Sequence, residues 1–235
     1  MSRVTTAHQN ARRQSSEHWV SMSDLMAGLM MVFLFISIAF MHYVRIERDK
    51  IKQVAVAYQT AQVALYQALH DEFSVDLAKW DAEIDRQTLE FRFKSPDVLF
   101  GLGSDGLKPQ FRAILNDFFP RYLTVLDKFK EQISDIRIEG HTSSDWSGAI
   151  SDDDAYFKNM VLSQGRTRSV LQYIYEMPSA ATHRSWIKKV FSAVGFSSAH
   201  PVYNQHGVEV PERSRRVTFK VITNAESQIR KIIQE

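Results

Sequence analysis

The residue whose position carries the most chemistry is Asp24. It stands at the head of the run Leu25 to Val44, 20 residues that include no Asp, Glu, Lys or Arg. An ionisable group in or beside a membrane span is a functional candidate by default, because charge in hydrocarbon is costly. An Asp at mid-membrane costs ~2.5–3.5 kcal/mol on insertion scales, and protonation removes that charge. Such a carboxyl can alternate between a wet site and an apolar one. One charge moved through ~100 mV releases ~2.3 kcal/mol, enough to bias a step between two packed arrangements, so sustained work needs the passage of many ions. The same position also suits a helix cap at headgroup level, where an acid costs almost nothing. The residues alone leave both readings open.

Other reactive side chains are less well placed. His141 has no second well-spaced ligand, and the chain has no cysteine, so no metal is expected there. It reads as structural or ligand-adjacent. Asp152, Asp153 and Asp154 lack the D-x-D-x-D-G spacing of a calcium loop and fit a solvated helix N-terminus. No Ser-His-Asp set, phosphate loop or pair of catalytic carboxylates assembles with any specificity. Neither an enzyme nor a cofactor is expected.

The elements that must hold Asp24 begin with the apolar run itself. At ~1.5 Å per residue it makes a helix ~30 Å long, the thickness of the hydrocarbon layer. It exceeds a signal-peptide core of ~7–15 residues and is followed by His42, Tyr43, Val44 and Arg45 rather than a small-residue cleavage site. An uncleaved anchor over 16–44 is expected. Ala27 and Gly28 permit close helix approach, Met26, Met30 and Met31 suit adaptable packing, and His42 suits an interfacial position. Arg3, Arg12 and Arg13 before the span face Arg45, Arg48, Lys50 and Lys52 after it, so charge bias does not decide orientation. A net charge of +2 gives no electrostatic support to nucleic-acid binding.

Residues 1–15 are polar and are expected to be a disordered tail. Residues 45–84 contain no Gly or Pro. Ile51, Tyr58 and Leu65 recur every seven, with Val54, Ala61 and Ala68 between them. This predicts a helical linker, pairing with a second copy as a coiled coil or packing on its own domain. Phe73, Leu77, Trp80 and Ile84 continue the apolar stripe in a shifted register.

A folded region is expected over 85–223, with 224–235 a tail. Leu89, Phe91 and Phe93 alternate with polar residues as a strand. Gly101, Gly103 and Gly106 mark a loop. Pro109 opens a helix that Pro120 kinks or breaks. Ile136 and Ile138 form a strand ended by Gly140, Tyr156 to Met177 a helix, Lys189 to Val194 a strand, and Val217, Phe219 and Val221 the last strand. The order is β-α-β-α-β-β, an α+β domain with helices on one face of the sheet.

Two modules now resemble known families. Ser23 to Phe35, S-D-L-M-A-G-L-M-M-V-F-L-F, is similar to the membrane helix of MotB-type stator subunits. Val98 to Pro109 (V-L-F-G-L-G-S-D-G-L-K-P), I-E-G-H-T from Ile138, N-M-V-L-S-Q-G-R from Asn159 and S-R-R-V from Ser214 resemble an OmpA-like peptidoglycan-binding domain. Four pieces recur in order, and the two modules cover nearly all of the chain except the tail and linker. Within stator-like proteins, G-H-T-S-S and L-S-Q-G-R-T-R-S-V most resemble the B subunit of the Zorya anti-phage defence system.

The resemblance implies that Asp24 is the ion-carrying acid, with protons rather than sodium ions translocated. It implies a homodimer inside a ring of MotA/ExbB-like multi-span subunits of the Zorya A type, five around the pair. It places the span in the bacterial inner membrane, N-terminus cytoplasmic and folded domain periplasmic. The wall ligand is implied to be the diaminopimelate-bearing stem peptide. Arg166 matches the family's carboxylate-binding Arg, whose fork makes two parallel hydrogen bonds. Asn159 and Leu162 match its N-x-x-L positions, while Lys158 replaces the usual Tyr. Ser143 replaces an Asp that contacts the ligand's amino group, so Asp145 is the substitute or the amine is held less strongly. Arg215 and Arg216 match the family's R-R-V before the last strand, where either one contacts the ligand or they serve a structural ion pair. The implied output is a motor driven by proton-motive force and serving defence. A flagellar-type stator and a passive wall tether are the alternatives.

Overall fold

The first helix, α1, runs from Val4 to Phe73 without a break. In this computed structural model the backbone is described for residues 4–94 and 96–224, and side chains for 22–56, 59–94 and 98–224. The expectation of a disordered tail over 1–15 is corrected from Val4 onward. Ala7, Gln9, Ala11, Arg12, Arg13 and Gln14 are adequate helix formers, and extending an existing helix costs far less than nucleating one. The chain divides into two units, Met1–Gln53 and Val54–Glu235.

In the first unit, one stretch among the described residues is long and apolar enough to cross a membrane, with a mean hydropathy of 2.2 and none of it buried. Leu25, Met31, Phe35 and Met41 all lie on the surface. Ser37, the polar interruption, donates its hydroxyl to the Phe33 carbonyl at 2.7 Å. Its hydrogen-bonding capacity is therefore met within the helix.

The second unit is built on a five-stranded sheet. In chain order the remaining elements are β1 (Ala82–Ile84), β2 (Glu90–Phe93), α2 (Pro96–Leu99), α3 (Pro109–Asp127), β3 (Ile133–His141), α4 (Asp152–Glu176), α5 (Arg184–Val190), β4 (Phe191–Gly195), α6 (Pro211–Ser214) and β5 (Arg216–Thr223). The strand order across the sheet is β1-β2-β5-β3-β4. Only β3 and β4 run parallel, in the register Ile138 to Ala193 and Gly140 to Gly195. That pairing requires a long crossover, and α4 lies within it. Phe91, Phe93, Ile138, Val217 and Phe219 bury one face against Phe111, Leu115, Phe118 and Tyr122 of α3 and Val170 and Ile174 of α4. The opposite face carries Arg92, paired with Glu90 at 2.8 Å and Asp85 at 2.9 Å, and Lys220, paired with Glu90 at 3.1 Å.

The α+β order agrees with the expected β-α-β-α-β-β, with one strand added at the front. The linker differs. Its helix ends at Phe73, and Ala82–Ile84 pairs antiparallel with β2 instead of extending the helix to 84. No Gly or Pro announces this stop. Packing imposes it: Phe73 and Trp80 both enter the core, 5.3 and 6.2 Å from the Phe118 ring. Leu65 and Leu69 are also fully buried in that core. The heptad position at Leu65 is thus occupied by the chain's own domain, which corrects the coiled-coil reading there. Tyr58's side chain lies outside the described residues. Arg121 clamps this helix end to α3. It donates to Glu72 at 2.7 Å and Asp76 at 2.8 Å and lies 4.8 Å over the Phe73 ring. Pro120 does not break α3, which continues to Asp127.

Candidate functional site

In the first unit the acid Asp24 lies well inside α1, 20 residues beyond its start at Val4. The backbone N–H groups around it are committed to the helix, so the capping geometry considered above is not present. Its side chain is exposed. Ala27 and Gly28 follow one turn later on the same face. A side-chain carbon added at Gly28 would meet nothing within 4 Å. That face is therefore smooth beside the acid.

In the second unit a cavity opens beyond the C-terminal end of β3, which runs parallel to β4. Two glycines bring α4 onto them. A Cβ on Gly140 would sit 2.8 Å from the Ser163 carbonyl, and one on Gly195 would sit 2.5 Å from the Gln164 nitrogen. Neither position tolerates a side chain without moving the backbone. Ser163 completes the joint by accepting from the Ser197 N–H at 3.1 Å. The N-terminus of α4 is fixed by Ser151, whose hydroxyl accepts from the Asp154 N–H at 3.2 Å. The three acids Asp152, Asp153 and Asp154 occupy that first turn, as their spacing predicts.

With α4 held this close, Asn159, Leu162 and Arg166, at i, i+3 and i+7, face one space. The cavity holds about 250 Å³ and is lined by Asn159, Leu162, Arg166, Ser143, Asp145 and Arg215, together with Leu102, Gly103, Thr142, Trp146 and Ser147. All six residues singled out for wall binding are thus brought together. The sequence reading did not single out Trp146 or Leu102. For Leu102 the available signal was an apolar residue set between Gly101 and Gly103; the structure leaves it almost fully exposed. For Trp146 the only signal was its place in the loop that follows β3.

The side chains are not equivalent. Arg166 is buried, donating Nε to the Ser104 carbonyl at 3.0 Å and Nη2 to the Gly101 carbonyl at 3.2 Å. Its guanidinium lies 4.9 Å over the Phe100 ring. The Nε–Nη2 edge of the guanidinium holds the 101–104 loop. Gly165, next to it, lets the loop approach, since a Cβ there would fall 2.8 Å from Asp105 Oδ2. Asn159 is also buried, and its amide donates to the carbonyls of Ser143 at 3.1 Å and Asp145 at 3.4 Å. It sets the loop that presents Ser143, Ser144 and Asp145. Ser144 adds a second tie through its N–H, 3.3 Å from both Glu209 carboxylate oxygens, and through its hydroxyl to Glu209.

Two polar atoms of the lining residues remain buried without a hydrogen-bond partner: Arg215 Nε and Thr142 Oγ1. A buried polar atom left without a partner costs ~1–3 kcal/mol, and both of these belong to residues that line the cavity. The Arg215–Arg216 pair is thereby sorted. Arg216 donates to the backbone carbonyls of His200 at 3.2 Å and Ser214 at 2.9 Å, while Arg215 lines the cavity. The lining carries two cations, Arg166 and Arg215, and one anion, the exposed Asp145. It suits a ligand that has a carboxylate deep inside and an amine near the rim.

Behind the cavity His141 stacks on Phe196 at 5.2 Å and approaches Glu139 at 3.9 Å. Burial pushes its imidazole below the usual range; Glu139 opposes this, and the charge of Arg216 adds to it. Among the described residues no cluster of His, Asp and Glu is arranged to hold a metal.

One candidate membrane span followed by an α+β unit with an amphoteric, ligand-sized cavity defines a membrane-linked binding protein. No family model matches the chain. It is 69% identical over 222 residues, 94% of each chain, to the Zorya protein ZorB of Escherichia coli strain Crooks. The chain belongs to the ZorB family. Among solved structures it is similar to a putative MotB-like protein from Desulfovibrio vulgaris, at 22% identity with a TM-score of 0.48, covering 73% of this chain and 94% of that one. It is also similar to the periplasmic domain of Helicobacter pylori MotB, at 17% identity with a TM-score of 0.43, covering 65% and 88%.

Proposed function

We propose that this chain is the ion-carrying, wall-anchored subunit of a stator-type membrane motor that acts in anti-phage defence. The observation that carries the reading is Asp24. It is the one charged residue between Met22 and Val44, and it lies inside the helix rather than at its cap. The proton is the carried ion. Protonated, the carboxyl enters an apolar setting at little cost; ionised, it returns to a wet one. A single helix cannot enclose such a path. Its walls come from a multi-span partner of the A type, five copies around a dimer of this chain, with the N-terminus in the cytoplasm and the sheet unit in the periplasm.

The cavity grips the cell wall and prevents the dimer from turning with the ring. Its ligand is the diaminopimelate-bearing stem peptide of peptidoglycan. Arg215 and Thr142 take a carboxylate, Asp145 takes the amine that an Asp at Ser143's position would otherwise hold, and Leu162 packs against the apolar stem. Arg166 and Asn159 hold the two loops that form the walls. Asp24→Asn keeps the shape and polarity of the side chain and removes titration. Phage plating on cells expressing the complete system at normal level tests the motor. Loss of protection with unchanged membrane levels is expected. Full protection by this variant would leave only the passive tether.

A further inference from the structure

His42 stands 18 residues beyond Asp24 on the same unbroken helix. At ~3.6 residues per turn that is about five whole turns, so the two side chains leave α1 along one line, ~27 Å apart. Gly28, Met31, Phe35 and Ile38 fill that line at alternating steps of four and three. No Asp, Glu, Lys, Arg, His or Tyr stands between Asp24 and His42. The stripe therefore has a proton-exchanging group at each end and none along it, and every residue in it is exposed. The placement is more specific than membrane anchoring needs. Tyr43, next in the chain and also exposed, already supplies an aromatic body with a polar tip for the interface. An anchor works at any angle around the helix, whereas His42 lies at the angle of Asp24. Ser37 lies on the far side of the helix from this line, and its hydroxyl is given to the Phe33 carbonyl. Arg45, at i+3 from His42, is the nearest charged side chain and marks the wet end of the span.

We propose that His42 is the proton-entry residue of the path that leads to Asp24. The inference rests on the ion-carrying reading of Asp24. With the N-terminus in the cytoplasm, His42 lies at the periplasmic mouth and Asp24 toward the cytoplasmic end. Imidazole suits the role because each of its two nitrogens can hold a proton. One nitrogen takes a proton from periplasmic water, and the other then releases its own proton into the path. The ring is left neutral as its second tautomer. Turning over restores the first, so one proton enters per cycle. The ~27 Å between the two groups far exceeds the ~3 Å reach of a hydrogen bond. Water held between the stripe and the partner's wall spans the rest. Gly28, where an added side-chain carbon would meet nothing within 4 Å, leaves room for such water beside Asp24.

The test is phage plating on cells that express the complete system at normal level, with and without imidazole in the medium. His42→Ala removes the ring and leaves a space of its shape. His42→Gln keeps a polar side chain that does not exchange protons, and His42→Trp keeps an interfacial anchor. At unchanged membrane levels each variant is expected to lower protection by about tenfold or more. Added imidazole is expected to bring His42→Ala back to within about threefold of the wild type and to leave Asp24→Asn inactive. Protection at the wild-type level by His42→Gln or His42→Trp overturns the entry residue and leaves Asp24 as the carrier. A loss in His42→Ala that imidazole does not restore, at unchanged membrane level, does the same. If His42→Ala fails to accumulate in the membrane, the other two variants decide. Full protection by Asp24→Asn overturns the motor reading, and the entry residue with it.

Discussion

Arg166 offers the sharpest separation between holding the protein together and holding its ligand. Arg166→Ala removes two charge-assisted hydrogen bonds, at 3.0 and 3.2 Å, from the half-buried carbonyls of Ser104 and Gly101. Each such bond contributes ~1.5–3 kcal/mol. The variant also removes a guanidinium lying 4.9 Å over Phe100, ~0.5–2 kcal/mol when desolvated. These terms are not additive, and water can reach part of the vacated space, so the expected loss is about 3–5 kcal/mol. For a unit of this size that lowers the melting temperature by ~6–20 °C. Arg166→Lys keeps the charge but cannot span both carbonyls, and falls between the two. Arg215→Ala is the contrast. Arg215 Nε has no protein partner, so its removal changes stability by less than ~1 kcal/mol while reducing retention on purified peptidoglycan. The assay is urea unfolding of the full chain followed by the fluorescence of Trp80, Trp146 and Trp186, with sacculus pull-down in parallel. If Arg166→Ala unfolds within ~0.5 kcal/mol of the wild type yet no longer binds the wall, the guanidinium is a ligand clamp, and the assignment made from its hydrogen bonds is wrong.

Three further outcomes follow from the same geometry. Gly195→Ala forces a methyl group to within 2.5 Å of the Gln164 nitrogen; α4 must shift, at a cost of ~1–3 kcal/mol, and wall retention is expected to fall even at temperatures where the variant stays folded. His141 is held neutral by burial, so as pH drops through ~6.5 the unfolded chain takes up a proton that the folded one does not. Stability therefore falls toward acid pH, with a slope of up to ~1.4 kcal/mol per unit from this group. Melting curves from pH 7.5 to 5 should show a flatter dependence in His141→Gln. Arg121→Ala breaks the contacts to Glu72 and Asp76. Hydrogen exchange is expected to accelerate in residues 65–73 by about tenfold or more, a loss of ~1–2 kcal/mol of local protection, with little change in β3.

Much of this organisation is legible because its signals are local. An uninterrupted apolar run names a span wherever it lies, and alternation at Phe91–Phe93, Ile136–Ile138 and Val217–Val221 names half-buried strands. The spacing of Asn159, Leu162 and Arg166 places them on one face of a helix whether or not the rest is known. The short strand Ala82–Ile84 was not legible: three residues carry too little periodicity, and the stop at Phe73 has no Gly or Pro to mark it. The heptad at Leu65 was legible but ambiguous, since the same apolar spacing serves a second helix or a sheet.

What the amino-acid order determined by itself was the inventory: one acid at the head of an apolar span, an α+β pattern, and a set of polar residues fit for a charged ligand. Tertiary structure alone decided their division of labour. Arg166 and Asn159 are tied to loop carbonyls and Arg216 to its own strand's approach, while Arg215 and Thr142 are left with unmet hydrogen-bonding capacity. The reason is physical. Whether a donor serves the fold or a ligand depends on which acceptors lie within about 3 Å, and those acceptors come from segments 62 to 65 residues away in the case of Arg166. No local pattern encodes that distance.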